Sequence, residues 1–139
     1  MTGLAGTRVN LDHVGIMVPD MNEAVAWYTS KLGFALRDRW ANDAIGMEWA
    51  HLELGNFVIE FVTRPGLTAP TESAFGIHHI AIEVDDCATT VAMLEATGVP
   101  VMFAPSYFER HDMDWAFVTD HLGNVFEIVS YRAAGGAHD

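Results

Sequence analysis

Two histidines and two glutamates stand at matched intervals along this 139-residue chain. His13 and His79 are 66 positions apart, and Glu60 and Glu127 are 67 apart. Neutral imidazoles and carboxylates are good ligands for a borderline divalent ion, and two of each leave the filled site close to neutral. An ion held in this way keeps positions open for water or a substrate oxygen. The glutamates carry the sharper signal. Glu60 lies inside Phe57-Val58-Ile59-Glu60-Phe61-Val62, and Glu127 inside Val125-Phe126-Glu127-Ile128-Val129. A carboxylate buried in such a run is costly unless it is paired or bound to a metal, and arginine partners are scarce here. A single histidine on a strand is more often structural, and a single glutamate often faces water. The matched spacing of both pairs is what favours one shared metal.

These residues need elements to position them, and the chain supplies the same order twice. Asn10 to Val18 reads as a strand, and Asp20 with Glu23 as a capping box that opens a helix. Met21, Ala24, Val25, Tyr28 and Leu32 recur at helical spacing until Gly33. Strands over Phe34 to Trp40, Met47 to Leu54 and Phe57 to Val62 follow, the last two joined by a tight Gly55-Asn56 turn. From Ile77 the order returns. His78 to Val84 is a strand, Asp85-Asp86 the cap region, Cys87 to Thr97 a helix closed by Gly98, and Val99 to Phe103, Trp115 to Thr119 and Val125 to Val129 are strands. Asp20 and Asp86 are 66 apart, Gly33 and Gly98 are 65 apart, and Leu-Gly-Asn occurs at Leu54 and again at Leu122. Chance rarely preserves order and spacing together, so the repeat outweighs local propensity.

The expected fold is therefore α+β, with two tandem βαβββ modules forming a single domain over 8–132. Module one is 8–64, a linker 65–75 and module two 76–132, with a flexible tail at 133–139. A four-stranded sheet with one helix covers one face only, so two curved sheets are expected to enclose a cleft. Strand alternation puts Val14, Ile16, Ile80, Ile82, Ile59, Phe61, Phe126 and Ile128 against the helices. His13, Glu60, His79 and Glu127 then share the cleft face, while His78 falls on the helix face as a structural or edge-exposed residue. Trp40, Trp49, Phe103, Trp115 and Phe117, with Met17, Met47 and Met102, would line an apolar cavity. His111 is expected in a loop over 106–114 at the cleft mouth.

Composition bounds the partners. Nineteen acidic residues face seven basic ones, for a net charge of −12, and Lys31 is the single lysine. No basic stripe serves a phosphate backbone, so nucleic acid is not an expected partner; the same field would repel strongly anionic substrates unless local arginines override it, and its first reading is solubility. Met1 to Val9 lacks the apolar centre of a signal peptide and no run is long enough to span a membrane. Cys87, the one cysteine, has no internal disulfide partner. A cytoplasmic protein with no membrane partner is expected.

At Leu11-Asp12-His13-Val14-Gly15-Ile16, Trp27-Tyr28, Leu32-Gly33-Phe34, the stretch from Gly76 to Asp86 and the stretch from Asp120 to Glu127, the chain resembles the vicinal oxygen chelate superfamily. Glyoxalase I, methylmalonyl-CoA epimerase, extradiol dioxygenases and bleomycin-resistance proteins belong to it. The resemblance covers Leu11 to Tyr131. It implies paired βαβββ modules with a metal in the cleft, His13, Glu60, His79 and Glu127 as ligands, and one divalent ion (Ni, Co, Fe, Mn or Zn) per site. It also implies a homodimer acting on a small carbonyl compound. The reaction implied is that of an isomerase, epimerase or lyase, with Glu60 or Glu127 moving the proton beside the carbonyl. An extradiol non-haem Fe(II) dioxygenase using His13, His79 and Glu127, with His111 as acid–base residue, is the alternative. There Phe117 stands where that motif has a Tyr. A non-catalytic binding protein of the bleomycin-resistance kind is the third reading.

Overall fold

The computed structural model describes residue 5 and residues 11–66 and 77–132. The expected tail at 133–139, nearly all of the expected linker at 65–75, and the first positions of module one lie outside the described residues. Two four-stranded sheets are present, and the chain divides into two compact units.

The first unit runs β1 (Val14–Met17), α1 (Met21–Trp27), a π-helical turn (Tyr28–Leu32), β2 (Ala35–Asn42), β3 (Met47–Leu54) and β4 (Phe57–Thr63). Strand order is β1-β4-β3-β2, with β1 parallel to β4 and the remaining pairs antiparallel. The second unit repeats this with β5 (Ile80–Glu83), α2 (Cys87–Ala96), β6 (Val101–Phe108), β7 (Met113–Thr119) and β8 (Val125–Tyr131), in the order β5-β8-β7-β6. A parallel pair needs a long crossover, and the helix with two strands supplies it in each unit.

Each helix starts on an aspartate. Asp20 accepts a hydrogen bond from the Glu23 backbone N–H at 3.0 Å, and Asp86 from that of Thr89 at 2.9 Å. Such N-caps are worth about 1 kcal/mol each. The caps are where the sequence puts them. Gly33 and Gly98 follow the two helical segments at φ of +80° and +91°, a region open to glycine without steric cost.

One face of each sheet is packed by its helix. In the first unit Ala24, Tyr28, Phe34, Ala50, Leu52, Ile59 and Phe61 are buried, with Tyr28 edge-on to Phe61 at 4.7 Å between ring centres. In the second, Cys87, Val91 and Leu94 fall at i, i+4 and i+7 on α2 and are buried with Ala116, Val118, Phe126 and Ile128. The Ser130 hydroxyl accepts from the Cys87 N–H at 2.9 Å, and the thiol donates to the Ile128 carbonyl at 3.3 Å. These contacts fasten the start of α2 to β8.

Several boundaries differ from the sequence reading. β1 and β5 are four residues each, so His13 and His79 sit just before the strands rather than in them. β4 and β8 meet them only from Ile59 and Phe126 onward, so residues upstream of Val14 and Ile80 have no ladder partner. The expected loop over 106–114 is mostly hairpin: β6 continues to Phe108, a 3-10 turn covers Glu109–His111, and β7 begins at Met113. Pro105 hid this. Proline is tolerated in an edge strand, and the register of β6 shifts between Phe103 and Ser106 to pass it.

The β7–β8 turn is closed by Asp120, itself buried. Its carboxylate accepts from the backbone N–H of Leu122 and Asn124, at 2.9 and 2.8 Å, and from the Asn124 amide at 2.7 Å. Asp120→Ala orphans those donors and is expected to lower unfolding free energy by about 1–3 kcal/mol, read by urea denaturation. A second expectation concerns Cys87. Burial, with Asp114, Asp86 and Glu127 adding repulsion, pushes its thiol up to about 11. The thiolate is the reactive form, so the native protein should resist Ellman's reagent at pH 8 and react promptly once unfolded in urea. Prompt reaction of the folded protein would contradict the buried setting.

Candidate metal centre

In the first unit one row across the sheet carries the chemistry. Gly15 on β1, Glu60 on β4 and His51 on β3 are register partners. Glu60 alternates with buried Ile59 and Phe61, so its side chain leaves by the face away from α1, and it retains 21% side-chain exposure. The His13 Nε2 lies 3.8 Å from the Glu60 Oε2. The Nδ1 of the same ring meets the Asp12 carboxylate at 2.7 Å. That contact, with Glu60 adding to it, holds the His13 imidazole above the ordinary histidine value, and the His13 ring in turn holds Asp12 below the ordinary carboxylate range. A carboxylate on the far nitrogen is the usual way to aim an imidazole at a metal and keep it a strong donor.

The second unit has the same pair. The His79 Nε2 is 3.7 Å from the Glu127 Oε1, and Glu127 is 18% exposed on the face opposite Phe126 and Ile128. The Nδ1 of His79 meets the Nδ1 of His78 at 2.8 Å, and the two rings are edge to face. His78 is exposed and precedes β5, the edge-exposed of the two settings expected for it. Glu127 is the register partner of Phe117, whose ring lies 5.3 Å from that of His79. No hydroxyl stands there. His111 lies exposed in the 3-10 turn with its ring edge-on to Phe108.

Each unit thus offers one imidazole nitrogen facing one carboxylate. Two donors held at about 2.1 Å from one ion are about 3.0–3.4 Å apart in octahedral or tetrahedral geometry, a spacing that either pair would reach by closing less than an ångström. Among the described residues no group of three or more His, Cys, Asp or Glu is gathered to hold an ion. The donor chemistry of each pair is of the kind that fits a divalent metal.

Two residues of the site escaped the sequence reading. Asp12 is His13's immediate neighbour, and its role is visible only once the ring is placed. His51 is the other: its Nε2 lies 2.7 Å from the Glu60 Oε2, and its ring is edge-on to Trp40 and 5.6 Å from that of His13. The signal for His51 was available. A tight turn at Gly55-Asn56 pairs Leu54 with Phe57, and counting outward pairs Glu60 with His51.

The family model of the Glyoxalase/Bleomycin resistance protein/Dioxygenase superfamily matches residues 10–128. Human mitochondrial methylmalonyl-CoA epimerase is 32% identical over 101 residues, a match covering 68% of this chain and 57% of that longer protein. A probable lactoylglutathione lyase of Vibrio cholerae is 29% identical over 126 residues, covering 88% of this chain and 91% of the relative. The crystal structure of a glyoxalase family protein from Enterococcus faecalis superposes with a TM-score of 0.76 at 20% identity, covering 86% of this chain and 96% of the other. With nearly all its described elements inside the matched region, the chain belongs to the Glyoxalase/Bleomycin resistance protein/Dioxygenase superfamily.

Proposed function

We propose that this chain is a divalent-metal-dependent isomerase, epimerase or lyase that moves a proton next to a carbonyl group. The observation that carries the reading is the repeated pair: in each unit an imidazole Nε2 faces a sheet carboxylate at 3.7–3.8 Å. His13, Glu60, His79 and Glu127 would hold the ion together, giving two neutral and two anionic donors. A divalent ion of that kind supplies Lewis acidity to a bound carbonyl and makes the neighbouring C–H more acidic. The chain's own carboxylates do the rest. Glu60 and Glu127 sit half-buried on strands whose other face is locked in the core, so each is held within a narrow range of positions. A carboxylate so placed can take a proton from the activated carbon and return it. The names of the human and Vibrio relatives, an epimerase and a lyase, point to the same reaction class.

Charge narrows the substrate. Arg37 pairs with Glu53, Arg39 with Glu48 and Arg132 with Asp114, so these cations are already engaged, and the whole chain carries −12. A small carbonyl compound of low charge suits this field better than a polyanionic one.

Protein purified without chelator is expected to carry close to one divalent ion per chain. His13→Ala and His79→Ala should each lower metal content and the melting temperature, because an ion that binds only the folded state stabilises it by mass action. Full metal retention in the double variant, measured by plasma mass spectrometry, would remove these residues from the site. Exchange of a substrate α-proton in deuterated water, followed by NMR over a panel of 2-hydroxy carbonyl compounds and acyl thioesters, tests the chemistry. Glu60→Gln and Glu127→Gln should remain folded, and at least one should lose roughly 10²–10⁴-fold in exchange rate, the usual scale of general acid–base catalysis. Wild-type exchange in both would leave the proton to another group.

A further inference from the structure

The two halves of the repeat differ at the position beside the carboxylate. Glu60 has His51 directly across the ladder, whereas Glu127 has Phe117. His51 and Phe117 are 66 residues apart and hold the same place in their modules. The one supplies a hydrogen-bond donor, the other a hydrocarbon edge. In the 2.7 Å contact a carboxylate only accepts, so the His51 Nε2 carries the proton and donates it to the Glu60 Oε2. A protonated ring nitrogen has no lone pair for a metal. In this arrangement the His51 Nε2 is engaged by the carboxylate, with its ring 5.6 Å from that of His13.

The His51 ring is held from two sides. Trp40 on β2 presents to it edge to face at 5.0 Å and itself stacks on Trp49 at 5.9 Å. The side chain of His51 is 24% exposed, close to that of Glu60. A ring packed in this way, with its Nε2–H on the carboxylate, fixes the Glu60 side chain in one orientation. It also leaves that oxygen with less charge to donate than an unbonded carboxylate would have.

We infer that His51 is a positioning residue that anchors Glu60 for metal binding, making Glu60 and Glu127 inequivalent ligands despite the repeat. The inference rests on the metal-binding role proposed above for His13, Glu60, His79 and Glu127. It adds what that reading lacks, a reason for the two modules to keep different residues at one equivalent position.

The probe is Co²⁺, titrated calorimetrically into the metal-free full-length protein and followed by its d–d absorption. His51→Phe copies the ring of the second module and removes the donor; His51→Gln keeps an N–H of similar reach. Loss of a group that orients a ligand commonly costs 10–100-fold in metal affinity. His51→Phe is expected to weaken Co²⁺ by about that factor and to shift the d–d bands. His51→Gln should bind within about threefold of wild type, given that the orienting hydrogen bond is retained. A role in packing alone would favour the phenylalanine over the glutamine, the reverse order. His13→Ala separates the two ideas. If it abolishes Co²⁺ binding while His51→Phe leaves affinity and spectrum unchanged, the metal reading stands and the positioning role is overturned. If His13→Ala and wild type bind Co²⁺ alike, or neither binds, the metal reading fails and this inference with it. Should His51→Phe not fold, ¹⁵N–¹H correlation of the metal-free wild-type histidines decides, since an unprotonated His51 Nε2 overturns the proposal.

Discussion

Everything at the candidate centre depends on burying one face of each sheet so completely that the other face has no freedom of register. Ile59 and Phe61 are fully buried against the first helix, and Phe126 and Ile128 nearly so against the second. Removing such side chains from water is worth about 1.5–3 kcal/mol each, far more than a half-exposed ion pair returns. A slip of one residue would send these side chains into solvent and the glutamates into the core. The core thus sets where the carboxylates stand, and the chemistry inherits that placement.

That constraint explains what could be read from the residues alone. The βαβββ repeat, both N-caps and the Gly33 and Gly98 stops follow from periodicity and local stereochemistry, and each is found where expected. The strands of the central hairpins are nearly as legible: Met47 to Leu54 has the same limits in the sequence and in the sheet. The edges are not. β1 and β5 are shorter than their hydrophobic pattern because a strand exists only where a neighbour offers hydrogen bonds. β6 is longer than its pattern because an edge strand accommodates Pro105 and bulges, which propensity counts against it.

The same division holds at the site. His13, Glu60, His79 and Glu127 are legible as chemistry because they recur at the repeat interval within apolar surroundings. The structure sets them in two pairs, one per unit, each with Nε2 toward the carboxylate. Asp12 and His51 are not legible in this way, since neither recurs: the equivalents in the second unit are His78, also a neighbour on the imidazole Nδ1, and Phe117. A repeat search finds what two halves share and passes over what distinguishes them. Those differences take effect as contacts, at 2.7 Å to the His13 ring and 2.7 Å to the Glu60 carboxylate.

The Gly55-Asn56 turn settles which residue faces Glu60. Its length is an inherited quantity in its own right. A point substitution at 51 or 117 alters one side chain and leaves the rest aligned, so the duplicated halves can differ there without disturbing the register. A single inserted residue in the turn would change every pairing between β3 and β4 at once. Lineages carrying this fold should therefore vary in length at the outer hairpins, β2 to β3 and β6 to β7, and hold the inner ones to a constant count. Where such a lineage does change an inner turn, it must change its chemistry with it.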